Sequence, residues 1–580
     1  MNEPSRIEHE HDPDGVDEGK RLVRVGGDKG LSLAERLSER WQRLAWRSPI
    51  HKLRLRGRHP LKLIAVVDDP FLGDIARGRA LLDGMLSFRG ETRNIAGLGL
   101  DRPGFSRTFA EYLHSFAWLR DLSSVTTRAQ AVPIAEAIMR QWIAAHAEHV
   151  AEPAWRPDLT GRRILFWCAH APLILSSSDL VYRSDVLNAF ARGARHVDRT
   201  ADKAGPGAPR IAAWAGVVAA GLMLPGGDPR RSFGEAGLHR AIDASIFADG
   251  GTAGRSPERQ LDVVRLLAMV CQTYAARRLE PPEFVSDALV RAVGALRGAC
   301  LGDRGLSSWQ GGGPVTGDTI EQVIEATGIR TRPLKQARDW GYQRLSAGKT
   351  TLLVDAAPPP VARLVEGGCA STLAFEMSDG AHRLIVNCGG ARAVHAAVPE
   401  QLAEGLRTTA AHSTLVLADS NSTAIHADGT LGRGVAEVEV SRQESDTAMR
   451  LEASHDGYVR RYGFVHRRHI AVTPDGLDVR GEDSLVPAGK RHKAGDTPFA
   501  IRFHLGAEVE VSPTADGHAA FLRLPGGAVW QFRAKGAALT VEDSLWVDAD
   551  GRPRPSEQIV LSGETSAGGV SVSWVLRRAR

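Results

Sequence analysis

The sequence predicts a chain in two parts, helical hairpins first and a large antiparallel β-sandwich after them. Three observations carry this. Seven or so consecutive segments between Ser106 and Leu301 repeat apolar residues at helical spacing. After Asp303 the period changes to the alternation of short strands. Hairpin signals such as Asp379-Gly380, Asp475-Gly476 and Gly526-Gly527 then recur between those strands.

Taken in order, residues 1–30 are polar and charged and read as a disordered tail. Residues 31–105 read as a lead-in, with an amphipathic helix over Leu31–Trp46, a basic stretch from His51 to His59, and then irregular chain rich in glycine. Residues 106–335 form the helical part. Ser106 is placed to cap a helix carrying Phe109, Leu113, Phe116, Trp118 and Leu119. Further helices are expected over 129–150, 175–194, 211–224, 233–247, 257–278 and 282–301. Short links between them imply hairpins stacked side by side, which can close as a ring or run on as a solenoid. Residues 348–580 hold about a dozen strand candidates, among them the alternating Phe464 to Val472, as a sandwich requires. Gly311-Gly312-Gly313 lacks the Lys-Ser/Thr and the strand–helix frame of a phosphate loop and reads as ordinary loop.

Composition excludes several classes. The 73 basic and 68 acidic residues leave a net charge of +5 with no basic block, so no nucleic-acid partner is expected. Five scattered cysteines without a CxxC pair argue against a disulfide framework. No apolar run approaches the roughly 20 residues that span a bilayer, and no leader is visible at the start, so the sequence assigns no location.

The region 367–423 and its flanks carry a family resemblance. The segments are Ser371-Thr-Leu-Ala-Phe-Glu-Met-Ser-Asp-Gly380, Val386-Asn-Cys-Gly389, Arg407-Thr-Thr-Ala-Ala-His-Ser-Thr-Leu-Val416, His455-Asp-Gly-Tyr458, His466-Arg-Arg468 and Gly481-Glu-Asp483. In the helical half they are Leu113-His-Ser-Phe-Ala-Trp-Leu-Arg-Asp-Leu122 and Asp249-Gly-Gly-Thr-Ala-Gly-Arg-Ser-Pro257. Together these resemble the heparinase II/III family of polysaccharide lyases. The resemblance implies an (α/α) toroid followed by a β-sandwich, a cleft between them, and an acidic, uronate-containing glycan such as a heparin- or heparan-like polymer as partner. Relatives of this kind work in the periplasm or cell envelope.

Elimination from a uronate needs a group to neutralise the carboxylate, a base for the adjacent proton and an acid for the leaving oxygen. The family's usual answer is an Asn and a Tyr from the toroid and a His from the sandwich. Here Arg259 stands where the Tyr is expected, the helix from Ile211 to Gly221 has no amide, and the sandwich opens Gly367-Gly-Cys-Ala-Ser371. The remaining candidates for proton transfer are His412, His455 and Tyr458; those for binding an anionic sugar are Arg255, Arg259 and Arg407. The positions matching a structural zinc site of some relatives are Cys369, Asn387 and His412; a neutral amide is a poor zinc ligand, so no metal is expected. Two functions follow: a lyase acting by β-elimination, or a catalytically degenerate glycan-binding or envelope protein that keeps the fold.

Overall fold

The structure, a computed structural model, describes residues 16, 19–24, 46, 48–58, 60–100, 104–392, 394–489 and 496–579. It is an α/α toroid followed by a β-sandwich. The expected helix over 31–46 lies outside the described residues except for Trp46. The expected disordered tail needs correction: Gly19–Arg24 is a strand, paired antiparallel with Glu437–Glu444 at the edge of a sheet. Its ladder hydrogen bonds, rather than burial of its mostly exposed side chains, hold it there.

Ser106 caps as expected, its Oγ accepting the Phe109 N–H at 3.3 Å. The segment it opens is two helices, Arg107–Ser115 and Trp118–Ser123, broken where Phe116 turns left-handed at φ 63°. The helices Arg128–His146, Leu180–Thr200, Ala208–Met223, Asp228–Asp243, Pro257–Ala275 and Glu283–Gly298 follow the periodic segments. The helices Pro157–Ala169 and Gly317–Thr327 were not expected. The first of these is buried nearly all round, with Asp158, Thr160 and Arg163 buried among its apolar residues, so the sequence shows no clean apolar stripe.

Ala208–Met223 is likewise buried on every side and packs against Pro157–Ala169, Asp228–Asp243 and Pro257–Ala275. Gly161 and Gly216 set the closeness of the first pair. A Cβ on Gly216 would strike the Gly161 Cα, and one on Gly161 would strike the Ala212 carbonyl oxygen. Pro257 fills the first position of its helix, where a missing N–H costs nothing, and Glu258 faces the positive end of the helix dipole.

The sandwich begins at Tyr342. One sheet has nine strands in the spatial order Gly19–Arg24, Glu437–Glu444, Met449–His455, Phe464–Val472, Asp478–Pro487, Val570–Arg578, Val529–Lys535, Ala519–Arg523 and Glu510–Pro513. The other runs Ala538–Val547, Pro553–Thr565, Thr497–Leu505, His382–Val386, Phe375–Asp379, Thr350–Asp355 and Tyr342–Ala347, with Leu415–Leu417 paired beside Thr497–Leu505. All their pairings are antiparallel, and the inward side chains of both sheets make one apolar core. The toroid core continues into Tyr342, Leu353 and Ala374 at the sandwich's near edge, so the two parts share buried surface.

One buried acid of the sandwich has an unmatched oxygen. Glu376 Oε1 accepts from the Ser308 N–H and from Asn387 Nδ2, both at 3.0 Å, while Oε2 has no partner and Arg383 Nη1 stays 3.9 Å off. Burial pushes this carboxyl up to about 7 from its ordinary 4.5. The folded protein therefore binds this proton more tightly than the unfolded chain, and the resulting stability falls as pH rises from about 4.5 to about 7. Glu376→Gln removes that loss. We expect it to match the native protein near pH 4 and exceed it by roughly 3 kcal/mol near pH 8, read from urea denaturation at the two pH values.

Candidate functional site

A cleft of about 910 Å³ opens between the toroid and the sandwich. Its toroid wall is built by the helices Arg107–Ser115, Pro157–Ala169 and Pro257–Ala275, whose lining residues recur every three or four positions. On the last of these, Glu258, Arg259, Asp262, Arg265 and Met269 form one stripe running down into the toroid. The hairpin of Met85–Phe88 and Glu91–Asn94 closes one side, and sandwich loops bring Glu366, Arg392 and His395 over the mouth.

Charge dominates the lining, with ten arginines against eight carboxylates. Near the mouth the carboxylates are committed to guanidinium groups. Glu111 accepts from Arg156 at 3.0 Å and from Arg392 at 3.1 Å. Glu366 accepts from Arg392 at 3.0 Å and from Arg107. Glu258 pairs with Arg89 at 2.7 Å. The Arg392–Glu111 and Arg107–Glu366 pairs cross from one half of the molecule to the other. Burial alone would raise the Glu111 carboxyl, but Arg156, then Arg259 and Arg107, hold it below its ordinary value. Deeper, Asp262 accepts from Arg162 at 3.0 Å and Arg259 at 2.9 Å, and these bring it down to about 2 against the opposing effect of burial. No carboxylate of this set is left to act as a free base.

The cleft has a single tyrosine, a single histidine and a single side-chain amide in its lining. The Tyr112 hydroxyl donates to Asp121 Oδ2 at 2.6 Å, and Arg77 holds the same carboxylate at 2.8 Å. Burial, then the Asp121 charge, raises the phenol well above its ordinary range, which disqualifies it as a base at neutral pH. His395 Nδ1 accepts the Ala397 N–H at 3.2 Å, so its neutral ring presents a donor. The Gln310 amide donates to Ser371 Oγ at 3.0 Å and accepts from the Cys369 N–H at 3.0 Å. The chemistry available along the toroid wall is anion binding; among the described residues the lining carboxylate without an arginine partner is the exposed Asp550, on a sandwich loop.

The structure keeps the three expected proton-transfer residues out of this cleft. The His412 Nδ1–H donates to the Thr408 carbonyl at 2.7 Å, and burial lowers the imidazole to about 4. The Tyr458 hydroxyl donates to the Leu415 carbonyl at 2.9 Å inside the sandwich core. His455 is in a buried relay: its Nδ1 accepts from the Gly457 N–H at 3.1 Å, and its Nε2 lies 3.2 Å from His466 Nδ1, whose Nε2 lies 2.8 Å from Asp483. Each is used by the sandwich itself, because a polar group without water must find a protein partner.

Of the expected sugar-binding arginines, only Arg259 lines the cleft. Arg255 is buried against Asp355 and the carbonyls of Trp340, Ala357 and Pro358. Arg407 donates to the Gly368 carbonyl at 3.0 Å and the Gly429 carbonyl at 2.6 Å. The weak metal positions do not fit a zinc ion. Asn387 spends its Oδ1 on the Ser413 N–H and its Nδ2 on Glu376, both at 3.0 Å, and Cys369 Sγ lies 3.4 Å from the Gly367 carbonyl. Among the described residues no three His, Cys, Asp or Glu side chains are grouped to hold a metal. Sequence reasoning missed Tyr112, Gln310, His395 and Arg265. For Arg265 a signal existed, its place six residues beyond the candidate Arg259, within two turns of it on the helix expected over 257–278.

The heparinase II/III-like C-terminal family model matches residues 329–575. FtsZ-localized protein C of Caulobacter vibrioides is 30% identical over 561 residues, covering 91% of this chain and 92% of that protein. Among solved structures, heparinase III superposes with a TM-score of 0.66 at 14% identity, over 96% of this chain and 93% of its own. The chondroitin AC lyase of Streptomyces coelicolor A3, in complex with chondroitin sulphate, does so with a TM-score of 0.52 at 12% identity, over 94% and 82%. At such identities the solved structures speak for the fold alone.

Proposed function

The chain belongs to the heparinase II/III-like family, and from that premise we propose that it is a binding protein which keeps the lyase fold without the elimination chemistry and works where FtsZ localises. One observation carries this reading: among the described residues the cleft's tyrosine is bound to Asp121 and the carboxylates of its toroid wall are bound to arginines, leaving only the exposed Asp550 of a sandwich loop without such a partner. Elimination needs a base on the substrate's proton in the transition state, and a toroid wall whose acceptors are all committed disfavours the chemical step while leaving binding possible. The placement with FtsZ is supported by the likeness to a protein of that name along nearly its whole length. An acidic glycan as occupant is supported by the excess of guanidinium groups on the wall and by the chondroitin sulphate bound to a structural neighbour.

The test has two arms. Incubated with heparan sulphate, chondroitin sulphate and other uronate polymers, the protein is expected to generate no ultraviolet absorbance from unsaturated uronate products; steady growth of that absorbance would restore the lyase reading. A fluorescent fusion in the native host is expected to follow labelled FtsZ through the cell cycle, and a distribution independent of FtsZ would remove that part.

A further inference from the structure

The floor of the cleft holds a cation that the protein itself does not neutralise. Arg265 is half-buried on the helix Pro257–Ala275, beyond Arg259 and Asp262 on the same face. Its neighbours are spoken for. Arg162 and Arg259 share Asp262. Arg120 pairs with Asp69 through two bonds of 2.8 and 3.0 Å, and Arg77 pairs with Asp121. Arg265 has no hydrogen bond or ion pair among the described residues, and its buried Nε–H has no acceptor. Leu165, Phe166, Leu266 and Met269 also line the cleft and offer no charge.

An unpaired, partly desolvated guanidinium is costly; the nearby positive Arg120 and Arg77 add to the cost, and the charges of Asp262 and Asp69, already shared with other cations, offset part of it. Burial, then Arg120, lowers this guanidinium to about 10, so it still carries its proton at neutral pH. A group in this position returns its cost when an anion arrives, since guanidinium binds oxyanions through paired, charge-assisted hydrogen bonds that strengthen away from water.

We propose that Arg265 is the anion-binding residue at the floor of the cleft and takes one compact oxyanion, a carboxylate, sulfate or phosphate, at the leading end of a ligand that enters from the mouth. This rests on the cleft being a binding site and not on the placement with FtsZ.

Thermal unfolding of the whole protein in inorganic phosphate, in sodium sulfate and in glucuronate, each against chloride at equal ionic strength, tests it and tells the three sources apart. At least one of the three is expected to raise Tm saturably. Arg265→Met is expected to have a higher Tm than the native protein without anion, because the uncompensated charge is gone, and to bind the effective anion at least tenfold more weakly. Arg291→Met, exposed on the helix Glu283–Gly298 and outside the cleft lining, is expected to retain the response. No rise with any of the three anions, or an equal rise in Arg265→Met, overturns the proposal. Should Arg265→Met not fold, crystals of the native protein soaked in selenate decide: an anomalous peak beside Arg265 supports the site, and its absence there overturns it. Product absorbance in the uronate assay together with an Arg265-dependent Tm rise would sink the non-lyase reading and leave this one standing.

Discussion

Asp483→Ala is expected to lose about 3–5 kcal/mol of stability, the cost of stripping one partner from a buried ion pair. Asp483 is 1% exposed and takes four hydrogen bonds. Arg468 Nε donates to its Oδ1 at 2.7 Å and Arg468 Nη2 to its Oδ2 at 3.1 Å. His466 Nε2 lies 2.8 Å from Oδ1, and the Trp574 indole donates at 2.9 Å. Arg468 in turn donates Nη1 to the carbonyls of Leu373 at 2.7 Å and Ser413 at 2.8 Å, which belong to the opposite layer of the sandwich. Without the carboxylate, this guanidinium keeps its charge in the core and loses its counter-charge, and the two sheets lose their polar tie. Equilibrium urea denaturation followed by the near-ultraviolet signal of the sandwich aromatics measures the loss.

The same group sets an acid limit. Burial would raise the Asp483 carboxyl, but Arg468 and then His466 hold it well below the carboxylate range. A folded-state value below the unfolded one means that its stabilisation is fully present above the unfolded value near 4 and is lost as pH falls below that. The native protein is therefore expected to weaken steeply below about pH 4, and Asp483→Asn is expected to flatten that slope while starting from a lower plateau.

The second large effect is expected at the seam between the two halves. Arg255→Met should cost about 3–5 kcal/mol by the same physics, and here the loss separates domains. Arg255 sits in the left-handed region at φ 55°, just before the helix Pro257–Ala275, with its guanidinium in the sandwich. Its Nε donates to the Trp340 carbonyl at 2.7 Å, its Nη1 to those of Ala357 at 3.2 Å and Pro358 at 2.6 Å, and its Nη2 to Asp355. The Tyr342 hydroxyl closes the circle on the Arg255 carbonyl at 2.5 Å. Removing the side chain leaves Asp355 with the Ser371 hydroxyl, at 2.7 Å, as its remaining side-chain partner. Arg255→Lys should rescue little, because one ammonium cannot reach four acceptors arranged for a planar fork. Calorimetry is the measurement: a single unfolding transition in the native protein should become two in the variant, and an unchanged single transition at the native Tm would refute the role.

The site was less legible in the sequence than the fold. The segments His466-Arg-Arg468 and Gly481-Glu-Asp483 pointed correctly to the family, and the structure explains why they need those residues: they are the charged tie between the sheets. His412, His455 and Tyr458 carried the same recognisable pattern and were therefore misread as chemistry, when each hydroxyl and imidazole is instead spent on a neighbour within the sandwich. Family pattern and catalytic role are both written in polar residues, and a one-dimensional chain does not show which of them face water. Arg255 and Arg259 illustrate the point. They are four residues apart, yet one guanidinium is buried in the seam and the other lines the cleft.

By itself the sequence determined the order of the two halves and the periods of most helices and strands. These are local or pattern properties, set by alternation and spacing along the chain. The two buried helices Pro157–Ala169 and Ala208–Met223 mark the limit of that reading: the second was legible as an apolar run, and the first, its apolar residues interrupted by Asp158, Arg162 and Arg163, was not. Only the tertiary structure decided which charges cancel. Glu111 meets Arg392 from 281 positions away, and Glu366 meets Arg107 from 259 positions away. Charge pairing depends on distance in space, so the commitment of Glu111, Glu258 and Glu366 at the mouth, and the unmatched guanidinium of Arg265 among the described residues, exist only once the chain has closed around the cleft.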